Sequence, residues 1–345
     1  MSNDSTGRVL VYGAAGHTGR FVIDELLRRG ITPVLAGRDQ ARLGTVTASP
    51  GSERRAFAVD DPALAAAALS DVDVVVNCAG PFLDTALPLA TAALAAGAHY
   101  LDVTAEQPVV QSLYDVLDEP AAGAGVSVVP AMAFYGGLTD LMATALIGDD
   151  RSPADVTVAV GLDHWWPTAG TRITGGRNTA VRKVVRGGAL VSLADPAPIS
   201  TWTFAGPLGE QQVVELPFSE TITIHRHLPV DRLTSYLNTG PLAELRRAET
   251  PAPSAADDSG RSLQQFAVDV VVRRGGSVQR MSVSGRDIYA VTAPILAEAV
   301  LRLLDGRARR VGALPPGAAF DAVDVLTALT VRPDILQLHD PAALV

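Results

Sequence analysis

The chain has 345 residues, 48% of them hydrophobic and 19% charged, a folded globular composition with room for two cores rather than a disordered one. A formal charge of −9 lacks the field that holds a polyphosphate backbone, so nucleic acid is not expected as a partner. The single cysteine, Cys78, excludes an intrachain disulfide and a cysteine-rich metal site, which fits a reducing compartment.

The polar start MSNDSTG has no signal-peptide pattern, and no apolar run is long enough to span a membrane. A cytoplasmic location with no membrane partner is therefore expected. Lys183 is the only lysine among 28 basic residues.

In the first 145 or so residues, short valine-rich runs alternate with helical patterns. Val9–Tyr12, Pro33–Ala36, Ala56–Val59, Val72–Asn77, Tyr100–Val103 and Val126–Val129 read as strands. Gly19–Arg29, Pro62–Leu69, Thr85–Ala96 and Val109–Leu117 read as helices, with Pro88 in the first turn of the third. Such alternation implies right-handed crossovers and a Rossmann-like doubly wound parallel α/β sheet.

The first strand leads into VYGAAGHTGR. Gly13 permits a sharp turn, Ala14, Ala15 and Gly16 keep it small, and Gly19 lets helix and strand approach closely. The helix that follows through His17 and Thr18 offers free N–H groups to an anion, so the turn is expected to hold a dinucleotide pyrophosphate. His17 is expected to bracket a phosphate. At the second strand's end, VLAGRDQARL places Arg38 where a ribose 2′-phosphate would lie, with Arg42 one turn on; this favours NADP over NAD, although Asp39 could serve NAD.

Asp60, in AFAVDDP, suits either an adenine amino group or a helix N-cap. VVVNCAGPF then sets Cys78, Ala79, Gly80 and Pro81 at the sheet's carboxyl edge as a wall beside the nicotinamide ribose. Cys78 reads as a buried structural thiol, since no acid–base partner is near it in sequence.

Beyond Gly148 the pattern changes. Val156–Gly161, Lys183–Val185, Ile199–Phe204, Gln211–Leu216, Thr221–His225, Phe266–Arg273 and Val278–Ser284 read as strands without regular helices between them. This predicts an inserted, mainly antiparallel α+β substrate or dimerisation domain over 148–285. The TPAPSAADDSGR stretch is expected to be an exposed loop. Residues 286–345 return to helix and are expected to pack on domain 1–147.

Hydride chemistry needs a polarising or proton-donating group from the second unit. DHWWPTAGTRITGGRN offers His164, with Arg172 facing an acidic substrate, or else a cross-strand aromatic cluster. In TIHRHLP, His225 and His227 share a face if the segment is a strand, and His227 is a candidate acid. No carboxylate-rich pattern accompanies them, so no metal is expected. Tyr289, in GRDIYAVTAP, sits at the re-entry to the first unit and either faces the cleft or packs at the junction.

Together VYGAAGHTGR, VLAGRDQARL, NCAGPF, GAHYLDVTAE and GRDIYAVTAP resemble the saccharopine dehydrogenase-like reductases. The resemblance implies an NADP(H)-binding Rossmann domain with an inserted substrate domain. It also implies a pyridine-nucleotide oxidoreductase whose relatives act on imine-like amino-acid conjugates and enoyl substrates. Asp102 and Glu106 match a family position at the fifth strand's end. After the sixth strand many relatives carry a Phe-Asp-Ser-x-Pro-x-Asp-like segment. Here AFYGGLTD keeps only small residues and Asp140, which argues against saccharopine itself as substrate.

The Tyr-x-x-x-Lys chemistry of short-chain dehydrogenases is absent, because Thr179 stands four residues before Lys183. The expected activity is hydride transfer to a C=N, C=O or activated C=C bond of a small metabolite. The alternative is a non-catalytic NADP-binding sensor or accessory protein. A homodimer is compatible with the sheet-rich second unit.

Overall fold

The computed structural model describes residues 7–48 and 51–339. Its first part alternates as expected: β1 (Val9–Tyr12), α1 (His17–Arg28), β2 (Val34–Gly37), α2 (Gln40–Gly44), β3 (Arg54–Ala56), α3 (Pro62–Leu69), β4 (Val74–Asn77), α4 (Phe82–Ala95), β5 (His99–Asp102), α5 (Gln107–Ala124) and β6 (Ser127–Val129). A π turn, Phe134–Leu138, leads into α6 (Thr139–Ile147).

The second part runs β7 (Ala154–Leu162), α7 (Ala169–Arg177), β8 (Lys183–Arg186), β9 (Ala189–Ser192), β10 (Ile199–Thr203), β11 (Glu210–Glu215), α8 (Glu220–His227), β12 (Val230–Asn238), α9 (Thr239–Arg246), β13 (Gln265–Arg274) and β14 (Ser277–Arg286). The chain closes with α10 (Thr292–Leu304), β15 (Gly312–Ala313), α11 (Pro316–Ala319), α12 (Ala322–Thr330) and β16 (Leu336–Leu338).

The first sheet is parallel, in the order β15-β6-β5-β4-β1-β2-β3. Strands β1, β4 and β2 are buried along their whole length, which explains their unbroken apolar runs. Strand order reverses about β1 and β4, so a crevice opens at their carboxyl ends, where open α/β sheets bind ligands.

The second sheet follows the order β10-β11-β12-β7-β13-β14-β16, with the β8–β9 hairpin attached to β12. Most of its pairs are antiparallel, but β12 runs parallel to β7. The expectation of no helices there is corrected by α7, α8 and α9. In particular, Thr221–His225 is not a strand but part of α8, whose residues Glu220 to Ile224 are all buried. His225 and His227 therefore do not share a face, because two residues on a helix turn about 200°. Pro88 also lies deeper than expected, because α4 begins at Phe82 and carries it in its interior.

The closing segment binds both sheets. β15 extends the first sheet beside β6, and β16 pairs with β14 of the second. A buried ion network fastens α1 to α10 and α12. Arg29 Nη1 lies 2.5 Å from Glu298 Oε1, Glu298 pairs with the fully buried Arg302, and Arg302 Nη2 reaches Asp324 Oδ2 at 2.7 Å.

Candidate active site

The glycine turn is built for close approach. Gly13 has φ +83°, and a Cβ there would sit 2.8 Å from Ala79 N. A Cβ at Gly19 would lie 2.3 Å from the Gly13 carbonyl oxygen, so only glycine lets α1 start this close to β1. Helix α1 has no side-chain cap and no acid in its first turn. Its leading N–H groups, from His17, Thr18 and Gly19, thus face the crevice mouth without intrahelical acceptors.

His17 is wedged edge-on between Phe21 and Tyr289, with ring centroids 5.2 and 5.4 Å away. Its Nε2 is buried and has no partner. Burial holds its pKa below the ordinary histidine value, against the pull of Asp287, so the ring is neutral at pH 7. A buried orphaned nitrogen beside a helix N-terminus fits a phosphate oxygen.

At the other end of the crevice, Arg38 is exposed, and it has no ion pair among the described residues. Asp39, the residue that could have served NAD, is the N-cap of α2 and accepts the Arg42 N–H at 3.1 Å. Asp61, not Asp60, caps α3, which leaves the Asp60 carboxylate uncommitted on the surface. Arg38 and Asp60 both act electrostatically on the Tyr12 hydroxyl, whose pKa burial pushes up, and so they flank the end of β1.

After β4, Asn77 organises the wall. Its Oδ1 accepts the Ala79 N–H at 3.0 Å and its Nδ2 donates to the Tyr100 hydroxyl at 3.0 Å. Burial pushes the Cys78 thiol up to about 12, with Asp102 adding to the effect. It therefore stays protonated, as a structural thiol would. Gly80 and Pro81 continue the wall into α4. Two carboxyls lie behind it. Asp102 is saturated: Oδ1 accepts N–H groups of Thr104 (3.0 Å) and Ala131 (2.8 Å), and Oδ2 accepts the Tyr100 hydroxyl at 3.1 Å. Glu106 Oε2 accepts the Phe82 N–H at 3.2 Å.

Above the wall lies α7, none of whose residues is buried. Thr174 Oγ1 lies 3.0 Å from where a Cβ of Gly80 would stand, and Arg177 pairs with Asp84 at the start of α4, with Nη2 2.9 Å from Oδ1. Tyr289 reaches α7 from the junction. Its hydroxyl is 3.0 Å from Thr171 Oγ1 and accepts the Trp165 indole N–H at 3.2 Å.

The three residues expected to carry acid–base work are not brought together, and none hydrogen-bonds to another. Tyr289 does border the glycine turn. His164 is half exposed, stacks on Trp166 and sits 2.9 Å from Glu244 Oε1. His227 Nε2 lies 3.1 Å from Asp140 Oδ2, a carboxylate that also holds the Gly317 N–H. Arg172 donates to the carbonyls of Arg247 and Thr250.

Tyr135, Arg182, Phe218 and Glu220 went unnoticed in the sequence. Tyr135 stacks on Phe218 with centroids 4.3 Å apart, Trp165 packs beside both, and Arg182 lies 4.7 Å over Phe218. Tyr135 and Glu220 line an enclosed cavity of about 10 Å³, room for one water molecule. Its lining comes from β7, β12, α8 and the π turn, which no local pattern joins.

Residues 9–129 match the saccharopine dehydrogenase NADP binding domain. A trans-acting enoyl reductase of Mycobacterium tuberculosis is 29% identical over 140 residues, which covers 39% of this chain and 34% of the relative. A saccharopine dehydrogenase-like oxidoreductase of Bos taurus is 27% identical over 150 residues, covering 36% and 34%. The matched stretch thus spans about a third of the length of these curated relatives. Among solved structures, apo saccharopine dehydrogenase (L-Glu forming) from Saccharomyces cerevisiae shares the fold, with a TM-score of 0.67 and 14% identity, over 97% of this chain and 100% of that one. Among the described residues no helix is long and apolar enough to cross a membrane, and no cluster of candidate metal ligands occurs.

Proposed function

We propose that the chain is an NADP-dependent oxidoreductase that reduces a C=N, C=O or activated C=C bond of a small metabolite, a reading supported by the match of residues 9–129 to the saccharopine dehydrogenase NADP binding domain. The observation that carries this reading is the cradle of Gly13 and Gly19, closed to any side chain and opening on the uncapped N-terminus of α1. The pyrophosphate would rest on the N–H groups of His17, Thr18 and Gly19. Arg38 would take the 2′-phosphate, with planar geometry and a charge that no carboxylate among the described residues neutralises. Asp60 would accept from the adenine amino group, and Ala79, Gly80 and Pro81 would line the nicotinamide ribose.

When bound, the reduced cofactor supplies a hydride. The chain's own part is to orient, to exclude water and to provide a proton. Helix α7, tied to Tyr289 and Asp84, covers the wall and serves the second role. The names of the relatives, enoyl reductase and saccharopine dehydrogenase, favour C=C and C=N acceptors.

The test is a fluorescence titration with NADPH and NADH, followed by NADPH oxidation across a panel of imines, ketones and enoyl thioesters. Preferential NADPH binding with turnover of one class supports the proposal. Binding without turnover of any class would instead favour a cofactor-responsive accessory protein.

A further inference from the structure

Two carboxyls occupy the carboxyl edge of β5, and their surroundings assign them different tasks. Asp102 has both oxygens committed to the N–H groups of Thr104 and Ala131 and the hydroxyl of Tyr100, so it holds the loops that follow β5 and β6. Glu106, only 1% exposed, has one oxygen on the Phe82 N–H, while its Oε1 is buried without a partner. A buried carboxylate oxygen with no donor is costly, and the cost is relieved by a proton or by a ligand.

No arginine pairs with Glu106 among the described residues. The nearby Arg177 of α7 is turned to Asp84. The other groups around Glu106 are Asp102, Asp84 and the Thr104 hydroxyl. Burial first, with Asp102 and Asp84 next, pushes its pKa up to about 7 against the Phe82 hydrogen bond. The carboxyl therefore holds a proton yet releases it near neutrality, and paired carboxyls with divergent surroundings mark acid–base assignments. Its position is equally specific: Phe82, its anchor, begins α4 directly after the Gly80–Pro81 wall, beneath α7.

We propose that Glu106 is the proton donor of the reduction, a role that rests on the oxidoreductase reading above. The O–H bond at Oε1 breaks as the substrate's nitrogen, oxygen or α-carbon gains the proton. The electron pair of the new bond comes from the substrate's own π bond, displaced as the hydride arrives at the other atom. The substrate is reduced, the cofactor is oxidised, and the Glu106 carboxylate recovers its proton from water.

Infrared difference spectroscopy tests this without knowledge of the substrate, using the whole chain with NADPH as probe. The wild type should show a protonated-carboxyl stretch that titrates near pH 7, vanishes in Glu106→Gln and shifts when NADPH is added. Should Glu106→Gln fail to fold, carbon-13 carboxyl NMR of glutamate-labelled wild type reads the same titration, and Glu106→Asp should move it. A Glu106 carboxyl fully ionised at pH 6 overturns the proposal, as does a band indifferent to NADPH that fluorescence shows to be bound. Absence of any NADPH fluorescence response in the wild type overturns the oxidoreductase reading itself, and this proposal with it.

Discussion

The ring of Tyr289 meets the ring of His17 edge-on at 5.4 Å, while its hydroxyl lies 3.0 Å from Thr171 Oγ1. One side chain thus touches both the glycine turn and the helix over the Gly80–Pro81 wall. Tyr289→Phe keeps the ring and removes the hydrogen bonds to Thr171 and Trp165. Faster hydrogen exchange is expected across Ala169–Arg177, with little change in the melting temperature. Unchanged exchange there would mean that Tyr289 does not hold α7.

Arg38→Ala should weaken NADPH binding and leave NADH binding nearly unaltered. A charge-assisted hydrogen bond contributes ~1.5–3 kcal/mol, or about ten- to a hundredfold in Kd. Parallel titrations with both cofactors give the ratio directly. Asp39→Ala should alter neither preference strongly, because Asp39 caps α2.

Gly19→Ala should abolish cofactor binding, because its methyl would stand 2.3 Å from the Gly13 carbonyl oxygen. Gly30→Ala, at an open position with φ +81°, is a control that carries backbone strain but leaves the cradle intact. Calorimetric titration of both variants with NADPH separates cradle damage from general destabilisation.

Arg302→Ala should lower stability by about 1.5–3 kcal/mol, since it removes the buried cation that joins Glu298 to Asp324 while Arg29 still pairs with Glu298. Urea unfolding at pH 7 measures the loss. Arg309→Ala, which removes an exposed pair with Asp321, should change it by less than about 1 kcal/mol.

Stability should also fall as pH rises from about 4 to 7. The folded pKa of Asp102, about 6, and that of Glu106, about 7, both lie above their unfolded values. Each group's contribution is complete below the unfolded pKa and is lost as pH climbs through the folded one. Glu106→Gln should flatten the upper part of that decline, which a series of urea melts at several pH values would record.

The first sheet was legible because its signals are local. Buried parallel strands read as valine runs, and the glycine spacing sits between a strand and a helix. The TIHRH segment misled for an equally physical reason. Thr221, Ile222, Thr223 and Ile224 alternate with period two and are β-branched, yet all four are buried on every side of α8's first turns and tertiary packing overrides the preference. Strand β12 went unread because Asp231 and Arg232 break its apolar pattern at an exposed bulge beside β7. Glu106 was visible as a family position at the fifth strand's end, but not in its surroundings. Its orphaned oxygen depends on Phe82, 24 positions away.

The joining of β15 to one sheet and β16 to the other makes the closing stretch a shared seam. Cutting the polypeptide at the junction near residue 150 would leave the nucleotide half without its edge strand and without α10. The two halves are therefore expected to melt in a single cooperative transition, and exchanging the inserted half between homologues requires the segment after β14 to be grafted with care for both sheets.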